Sequence, residues 1–492
     1  MNTTATALLF CLLMLAGTDT GLSNEQNSTQ QVKYNPTFKN LGAAKEYEGE
    51  LKSLSAVNIR NAKLQLITDE LLRPWAMEFI DNDRLIITEI GGQMKILNLA
   101  DQTMSEVTGV PAVLTNNYQI GMLDVEVHPQ FAKNRKIYFS YSKHDPQADT
   151  YYSLAVASAT LKDNRLEEVT TLFADNPYSW SPSNFGGALE FDQHGLLYIA
   201  TGDRSDGLSA QNMNILQGKI LRLNDDGTPA ADNPYINDPN IDDRIYASGV
   251  RNPQGLHHDA TYDLLFEAEH GPMGGDEVNI IRSGADYGWP TITYGLSYTT
   301  KPIGEGTHKT GLTQPLFYYL PSEAISPLTV YRGDMFHEWQ GDILVGALKG
   351  RQVSKLDYDD GHIRSEYPIL TEIADRIRDI KVAPDGSILI LSHKGQLNRL
   401  YREGEQYVPT EDPTDGATVY QMACAGCHDA GAYDAPVLGD KARWSVIADK
   451  PLSVIYMNTI QGKNAMPARG TCAICSDDHL RKAVDYMLKE AQ

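Results

Sequence analysis

Apolar positions along the chain fall into distinct regimes. Ala7 to Gly17 is a continuous apolar run too short to span a bilayer, followed by small and polar residues. It reads as the apolar region of a secretory signal, so residues 1–20 are expected to be a signal peptide, although no Lys or Arg precedes the run. Residues 21–58 are polar and read as a leader with little fold of its own. From about Leu64, short runs of Ile, Leu, Val, Tyr and Phe alternate with Gly, Asp, Asn and Pro turns, the pattern of strands. Residues 403–415 are acidic, with Pro409 and Pro413, and read as a short semi-stiff linker to a small domain at 416–492.

One run recurs within the strand-rich region: an apolar strand that closes on a small or polar residue and then a charge or glycine. It appears as Leu85–Gly91, Ile137–Lys143, Leu197–Asp203, Leu265–Gly271, Leu344–Gly350 and Leu389–Gly395. The run ends lie 52, 60, 68, 79 and 45 residues apart, which suits four-stranded propeller blades with insertions. Six repeats predict an all-β, six-bladed propeller over residues 59–402; the segment is too long for one β-sandwich.

Cys424-Ala425-Gly426-Cys427-His428 adds chemistry to this frame. Two thiols three positions apart, followed by His, form the attachment signature of a c-type haem, with Cys424 and Cys427 bonded to the porphyrin and His428 on the iron. Met466, 38 residues further on, is the candidate sixth ligand. A fixed one-electron carrier needs a donor, so the preceding region is a candidate electron source. Cys472 and Cys475, three apart, are a candidate small disulfide in an oxidising compartment. Thioether attachment of haem takes place outside the cytoplasm, which agrees with the signal segment. The expected location is periplasmic or secreted, with no membrane span after signal removal. Bulky Phe10 before Cys11 argues against a lipoprotein.

Lys and Arg number 42 against 64 Asp and Glu, a net charge of −22. This opposes binding to nucleic acid or anionic lipid. No Walker-type loop is present, since Gly218-Lys219 and Gly462-Lys463 are followed by Ile and Asn. Against the acidic background, Arg251, Lys349, Arg376 and Arg378 stand at repeat ends or in polar turns, where propellers bind ligands. Converging on one mouth, they would hold a small polyanion. Asp276 and Glu277, with loop carbonyls near Gly271 and Pro272, offer the hard oxygens that calcium prefers.

Six motifs, in order, resemble the soluble pyrroloquinoline quinone (PQQ) aldose dehydrogenases: Gln119–Val125, Phe185-Gly186-Gly187, Gly202-Asp203-Arg204, Arg251–Gly255, His270 through Glu277, and Arg376–Asp379. The resemblance implies a six-bladed propeller with PQQ over its channel, oxidising a sugar C1 hydroxyl to a lactone. By resemblance, Lys349, Arg376 and Arg378 face the PQQ carboxylates and quinone oxygens. Arg251 and Asn252 lie at the reactive carbonyl, and Gln119 lies beside substrate and cofactor. The carbonyls of Gly271 and Pro272 would bind a calcium that polarises PQQ, and Glu277 and Tyr287 would bind a second, structural calcium. Asp203 is similar to the carboxylate that orients the family's catalytic His. That His, the general base, is Asn184 here, and Asn takes no proton at neutral pH. Asp203, His257, His258 and His270 are the candidate replacements. The tail resembles small all-α class I monohaem cytochromes c.

The expectation is an exported quinohaemoprotein in which PQQ takes electrons from an aldose or other alcohol. The haem c then passes them to a downstream acceptor such as a cytochrome or oxidase. Asn184 motivates an alternative, a non-catalytic PQQ- or sugar-binding propeller carrying an electron shuttle. A third reading is a lactonase-like hydrolase with a catalytic calcium and no quinone.

Overall fold

Each of the six repeated runs folds as the second strand of a four-stranded antiparallel sheet, and there are six such sheets. The computed structural model describes residues 62–402 and 416–490, apart from 116–118, 360, 433–434, 451, 464–465, 468, 470–474 and 476. The expected signal peptide, leader and linker, and Cys472, lie outside the described residues.

Three of the second strands, Leu197–Thr201, Ile343–Ala347 and Ile388–Ser392, are buried at every position, and the other three are buried through their centres. A strand flanked in its own sheet and covered by neighbouring sheets on both faces is apolar throughout rather than alternating. Each Leu or Ile removed from water there contributes roughly 1.5–3 kcal/mol. The first strands of the blades are Pro74–Phe79, Met122–Val127, Gly186–Phe191, Pro253–Asp259, Ile325–Val330 and Ile377–Val382. Each packs against the next, and the last packs against the first, so they form a closed ring around a channel. Their alternate side chains face that channel, which is why they carry polar residues such as Glu126 and Lys381 at its wall.

Side chains staple neighbouring blades. Leu189 N–H donates to Asp124 Oδ2 at 2.7 Å, and Met77 N–H donates to Asp379 Oδ2 at 2.7 Å. Thr88 Oγ1 donates to the Leu123 carbonyl at 2.6 Å. The sixth sheet is completed from the other end of the domain: Ala62–Thr68 pairs antiparallel with Leu397–Arg402, Ala62 lying opposite Arg402.

First strands begin, and second strands end, on one face of the ring. The motif residues nominated from sequence sit at those ends, so the topology alone gathers them at one mouth.

The C-terminal region is helical: Gly416–Ala423, Ala425–His428, Lys441–Ala448, Leu452–Gln461 and Asp477–Glu490. Its core is Val419, Tyr420, Cys424, Ala425, Trp444, Leu480, Ala483 and Met487. The first and last helices cross so closely that a Cβ at Gly416 would lie 1.9 Å from the Lys482 carbonyl, so only glycine fits.

Candidate functional site

The centre of the mouth is built on blades 3 and 4. Asn184 is buried and left-handed (φ +54°), a conformation Asn tolerates. Its N–H donates to Gln119 Oε1 at 2.8 Å and its Nδ2 to Asp203 Oδ1 at 2.9 Å. Asp203 also accepts from Ser205 N–H at 2.8 Å, and its Oδ2 accepts from Trp289 Nε1 at 2.8 Å. Gly202 lets this turn approach, because a Cβ there would lie 2.1 Å from the Asn184 carbonyl.

Arg251 and Asn252 immediately precede the first strand of blade 4, Pro253–Asp259. The backbone N–H groups of both donate to Glu269 Oε2. Arg251 Nη1 donates to the His270 carbonyl at 2.7 Å and the Gly271 carbonyl at 3.0 Å, and its guanidinium lies 5.3 Å from the Trp289 ring centre. Gly186 N–H donates to Asn252 Oδ1 at 3.2 Å, which orients the amide. Asn252 Nδ2 therefore donates to His270 Nδ1 at 3.2 Å, leaving the ring proton on Nε2. That nitrogen is buried with no hydrogen bond of normal geometry, the Ile325 carbonyl facing the ring. Burial, then Arg251, Arg378 and Arg376, hold His270 neutral with a pKa of about 3.

Blades 5, 6 and 1 supply the rest of the mouth. Lys349 is exposed and donates from Nζ to the Ser322 carbonyl at 2.8 Å. Arg376 is exposed. Arg378 lies 4.3 Å over the Trp75 ring and donates from Nε to His393 Nδ1 at 3.3 Å. Burial, then Arg376 and Arg73, push Arg378 down to about 9. Arg73 and Arg351 join this cluster, since Arg73 acts on Arg378 and Arg351 on Arg376. Among the described residues, none of Arg73, Arg251, Lys349, Arg351, Arg376 and Arg378 ion-pairs with a carboxylate. Elsewhere in the propeller, buried or half-buried cations such as Lys355 and Arg332 do so at 2.6 and 2.7 Å.

Behind Arg251 lies a buried acidic group. Asn279 Nδ2 donates to Glu267 Oε2 at 2.9 Å and reaches Glu277 Oε2 at 3.5 Å. Glu267 Oε1 and Asn279 Oδ1 are buried without partners. Burial pushes Glu269 up to about 7 and raises Glu267 and Glu277 well above the usual carboxylate range. Tyr287 is buried, its hydroxyl donating to the Ile280 carbonyl at 2.6 Å and accepting from Arg282 N–H at 3.0 Å. Among the described residues, no three His, Cys, Asp or Glu side chains converge in metal-binding geometry.

The structure thus brings together Gln119, Asn184, Asp203, Arg251, Asn252, Arg376 and Arg378, with Lys349 on the same face. His257 and His258 stand apart on the channel wall, so they are not replacements for the missing base. His270 reaches the site, but neither ring nitrogen is free to accept a proton. Sequence reasoning missed Arg73, Trp289, His393 and the Glu267–Glu269 pair. Arg73 stands before Pro74 and Trp75 at a blade start, a signal equivalent to that of Arg376.

In the helical region, Cys424 and Cys427 form no disulfide, and the first is buried. His428 is buried, and its Nδ1 lies 2.8 Å from the Pro436 carbonyl. That bond fixes the Nδ1–H tautomer and leaves Nε2 to face a metal, the usual support for a His ligand. Trp444 Nε1 donates to the Val437 carbonyl at 2.8 Å and its ring lies 6.2 Å from that of His428. Met466 and Lys463 exchange backbone hydrogen bonds at 2.9 and 3.0 Å in a small turn. Cys475 is disulfide-bonded.

Residues 71–402 match the Glucose / Sorbosone dehydrogenase family, and residues 411–487 match the family described as Cytochrome C oxidase, cbb3-type, subunit III. The aldose sugar dehydrogenase YliI of Escherichia coli is 36% identical over 336 residues, 67% of this chain and 89% of that protein. The crystal structure of the soluble E. coli aldose sugar dehydrogenase in its apo-form superposes with a TM-score of 0.66, covering 69% of this chain and 99% of that one. Cytochrome c5 of Ectopseudomonas mendocina is 50% identical over 66 residues, 13% of this chain and 76% of that protein.

Fold and site together define a redox protein of two parts, a six-bladed dehydrogenase propeller and a cytochrome c domain. The chain belongs to the glucose/sorbosone dehydrogenase family, the PQQ-dependent sugar dehydrogenases, with the cytochrome c domain joined at its C-terminal end.

Proposed function

We propose that this is an exported aldose dehydrogenase that binds PQQ at the mouth and hands electrons to its own haem c. The observation that carries the reading is the set of six cations at one mouth of an acidic protein, none of which forms an ion pair with a carboxylate among the described residues. Such a set is costly unless an anion completes it. A planar tricarboxylate fits it, with Arg376, Arg378 and Lys349 taking carboxylate and quinone oxygens, and Arg251 and Asn252 at the reactive carbonyl. When bound, PQQ supplies the two-electron acceptor, and haem c, held by Cys424, Cys427 and His428 with Met466 as sixth ligand, supplies the one-electron acceptor.

The protein's part is positioning and proton transfer. Gln119 and Asn184, locked to each other, present amide groups to the substrate hydroxyls. Asp203 Oδ2 carries one hydrogen bond, from Trp289, and keeps acceptor capacity, so we assign it the proton that the family's His would take. Asn184 orients the hydroxyl toward that carboxylate.

A divalent cation fits the Glu267, Glu277 and Asn279 oxygens, two of which are orphaned. Two carboxylates with neutral oxygens are an ordinary calcium set. Tyr287 packs at the edge of this group. The Gly271 carbonyl is already neutralised by Arg251, so the calcium expected at Gly271 and Pro272 has weaker support than the one at Glu277.

Reconstitution with PQQ and calcium, followed by glucose, tests the reading through the reduced haem band. Haem that stays oxidised with every aldose and simple alcohol tried would leave the non-catalytic alternative standing.

A further inference from the structure

Two large apolar side chains stand in solvent beside the reaction pocket: Trp180 is 70% exposed and Leu208 is 76% exposed. Each rides on a segment whose other end lies in the site. Trp180 precedes Asn184 by four residues, and Leu208 follows Asp203 by five. Both segments are pinned. Ser179 exchanges backbone hydrogen bonds with Tyr152 at 2.7 and 2.8 Å. Arg204 Nη2 donates to the Ser181 carbonyl at 2.5 Å and Nη1 to the Ser183 carbonyl at 3.2 Å. The hydroxyls of Ser181 and Ser205 meet at 2.9 Å, joining the two segments. The indole is therefore presented on a rigid support.

We propose that Trp180, with Leu208 on the segment joined to its own, is the stacking platform for the second sugar ring of the substrate, so that reducing oligosaccharides are preferred over free monosaccharides. This rests on the aldose reading above. A pyranose offers an apolar C–H face and polar edges, and an aromatic face left in water matches it while the hydroxyls stay hydrated. Four residues of chain span at most about 14 Å, so a substrate whose reducing end lies at Asn184 extends toward Trp180 within a ring or two.

The test compares Trp180→Ala and Trp180→Phe with the parent holoenzyme. In the Ala variant, kcat/KM for maltotriose is expected to fall about tenfold, mainly through KM, the size of one lost stacked ring. Glucose kinetics stay unchanged, and Phe restores most of the loss. Maltotriitol, which has no reducing end, gives a second reading without turnover. Trp75, Trp339 and Trp444 are buried and Trp289 is half-buried, so the iodide quenching lost in Trp180→Phe isolates the signal of Trp180, and maltotriitol should protect that part. Equal effects of Trp180→Ala on glucose and maltotriose, or no protection by maltotriitol, would overturn the platform. So would slower haem reduction with unchanged dye-linked kcat/KM, which would make the patch a cytochrome contact. If no aldose is oxidised yet maltotriitol protects Trp180, the dehydrogenase reading fails and the platform stands.

Discussion

Replacing Arg376 with Gln should stabilise the cofactor-free protein and weaken PQQ binding. Arg376 is exposed, has no carboxylate ion pair among the described residues, and faces like charges on Arg351 and Arg378. Two unit charges about 7 Å apart repel by roughly 0.6 kcal/mol in water-like surroundings and about 2.4 kcal/mol at an effective dielectric of 20. Exposure places Arg376 near the lower figure, and attraction to Asp375, a larger effect on it than the repulsion from Arg351, offsets much of that. The apo protein should therefore gain at most about 0.5 kcal/mol, about 1 °C in Tm for a domain of this size. A charge-assisted hydrogen bond to a ligand carboxylate contributes about 1.5–3 kcal/mol, so Kd for PQQ should rise roughly 10- to 150-fold. Calorimetry of the apo protein and equilibrium dialysis of PQQ, in one buffer at one ionic strength, read the two effects. An Arg376→Gln protein that melts lower and holds PQQ as tightly as the parent would refute the idea that these cations await an anion.

Asn184→His restores an imidazole against Asp203 at a backbone conformation His also tolerates; with Asp203 already taking the proton, kcat should change by less than about tenfold, and a rise approaching the roughly 10²–10⁴-fold worth of a proton-transfer group would overturn the assignment of Asp203. Glu269, held at about 7 by burial against 4.5 unfolded, binds its proton more tightly when folded. The metal-free protein should therefore lose stability as pH rises from about 4.5 to 7, and calcium should raise Tm more at pH 8 than at pH 5.5; a calcium-insensitive Tm at both values would exclude the cation site. His428→Ala should remove the native haem spectrum while dye-linked sugar oxidation continues; loss of both would show that the two parts do not act separately.

The ring was legible because its second strands are the best-covered part of each blade, and complete burial writes itself as an unbroken apolar run ended by a turn. Leu197–Thr201 and Ile388–Ser392 show this plainly. The first strands were harder to see, since the channel wall admits charge at Asp124, Glu126 and Lys381. The closing strand Ala62–Thr68 lies at a sheet edge, with Ile67 its one buried side chain, so nothing in its composition announces that it completes a blade. At the mouth, Arg251, Arg376 and Arg378 stood out as cations in turn motifs. Arg73 and Trp289 did not, because their roles come from neighbours more than 80 residues away in the chain: Trp289 meets Asp203, and Arg73 meets Arg378. The orphaned oxygens of Glu267 and Asn279 were invisible for the same reason: a partnerless atom is a property of packing.

The strand that closes the sixth sheet lies upstream of residue 71, where the family match begins. A recombinant protein trimmed to the matched segment would start with its ring unzipped. The bare margin at Leu397–Arg402 would then offer its backbone N–H and C=O groups to any neighbouring molecule, an invitation to clump during expression. Useful boundaries for isolating the propeller therefore begin no later than Ala62.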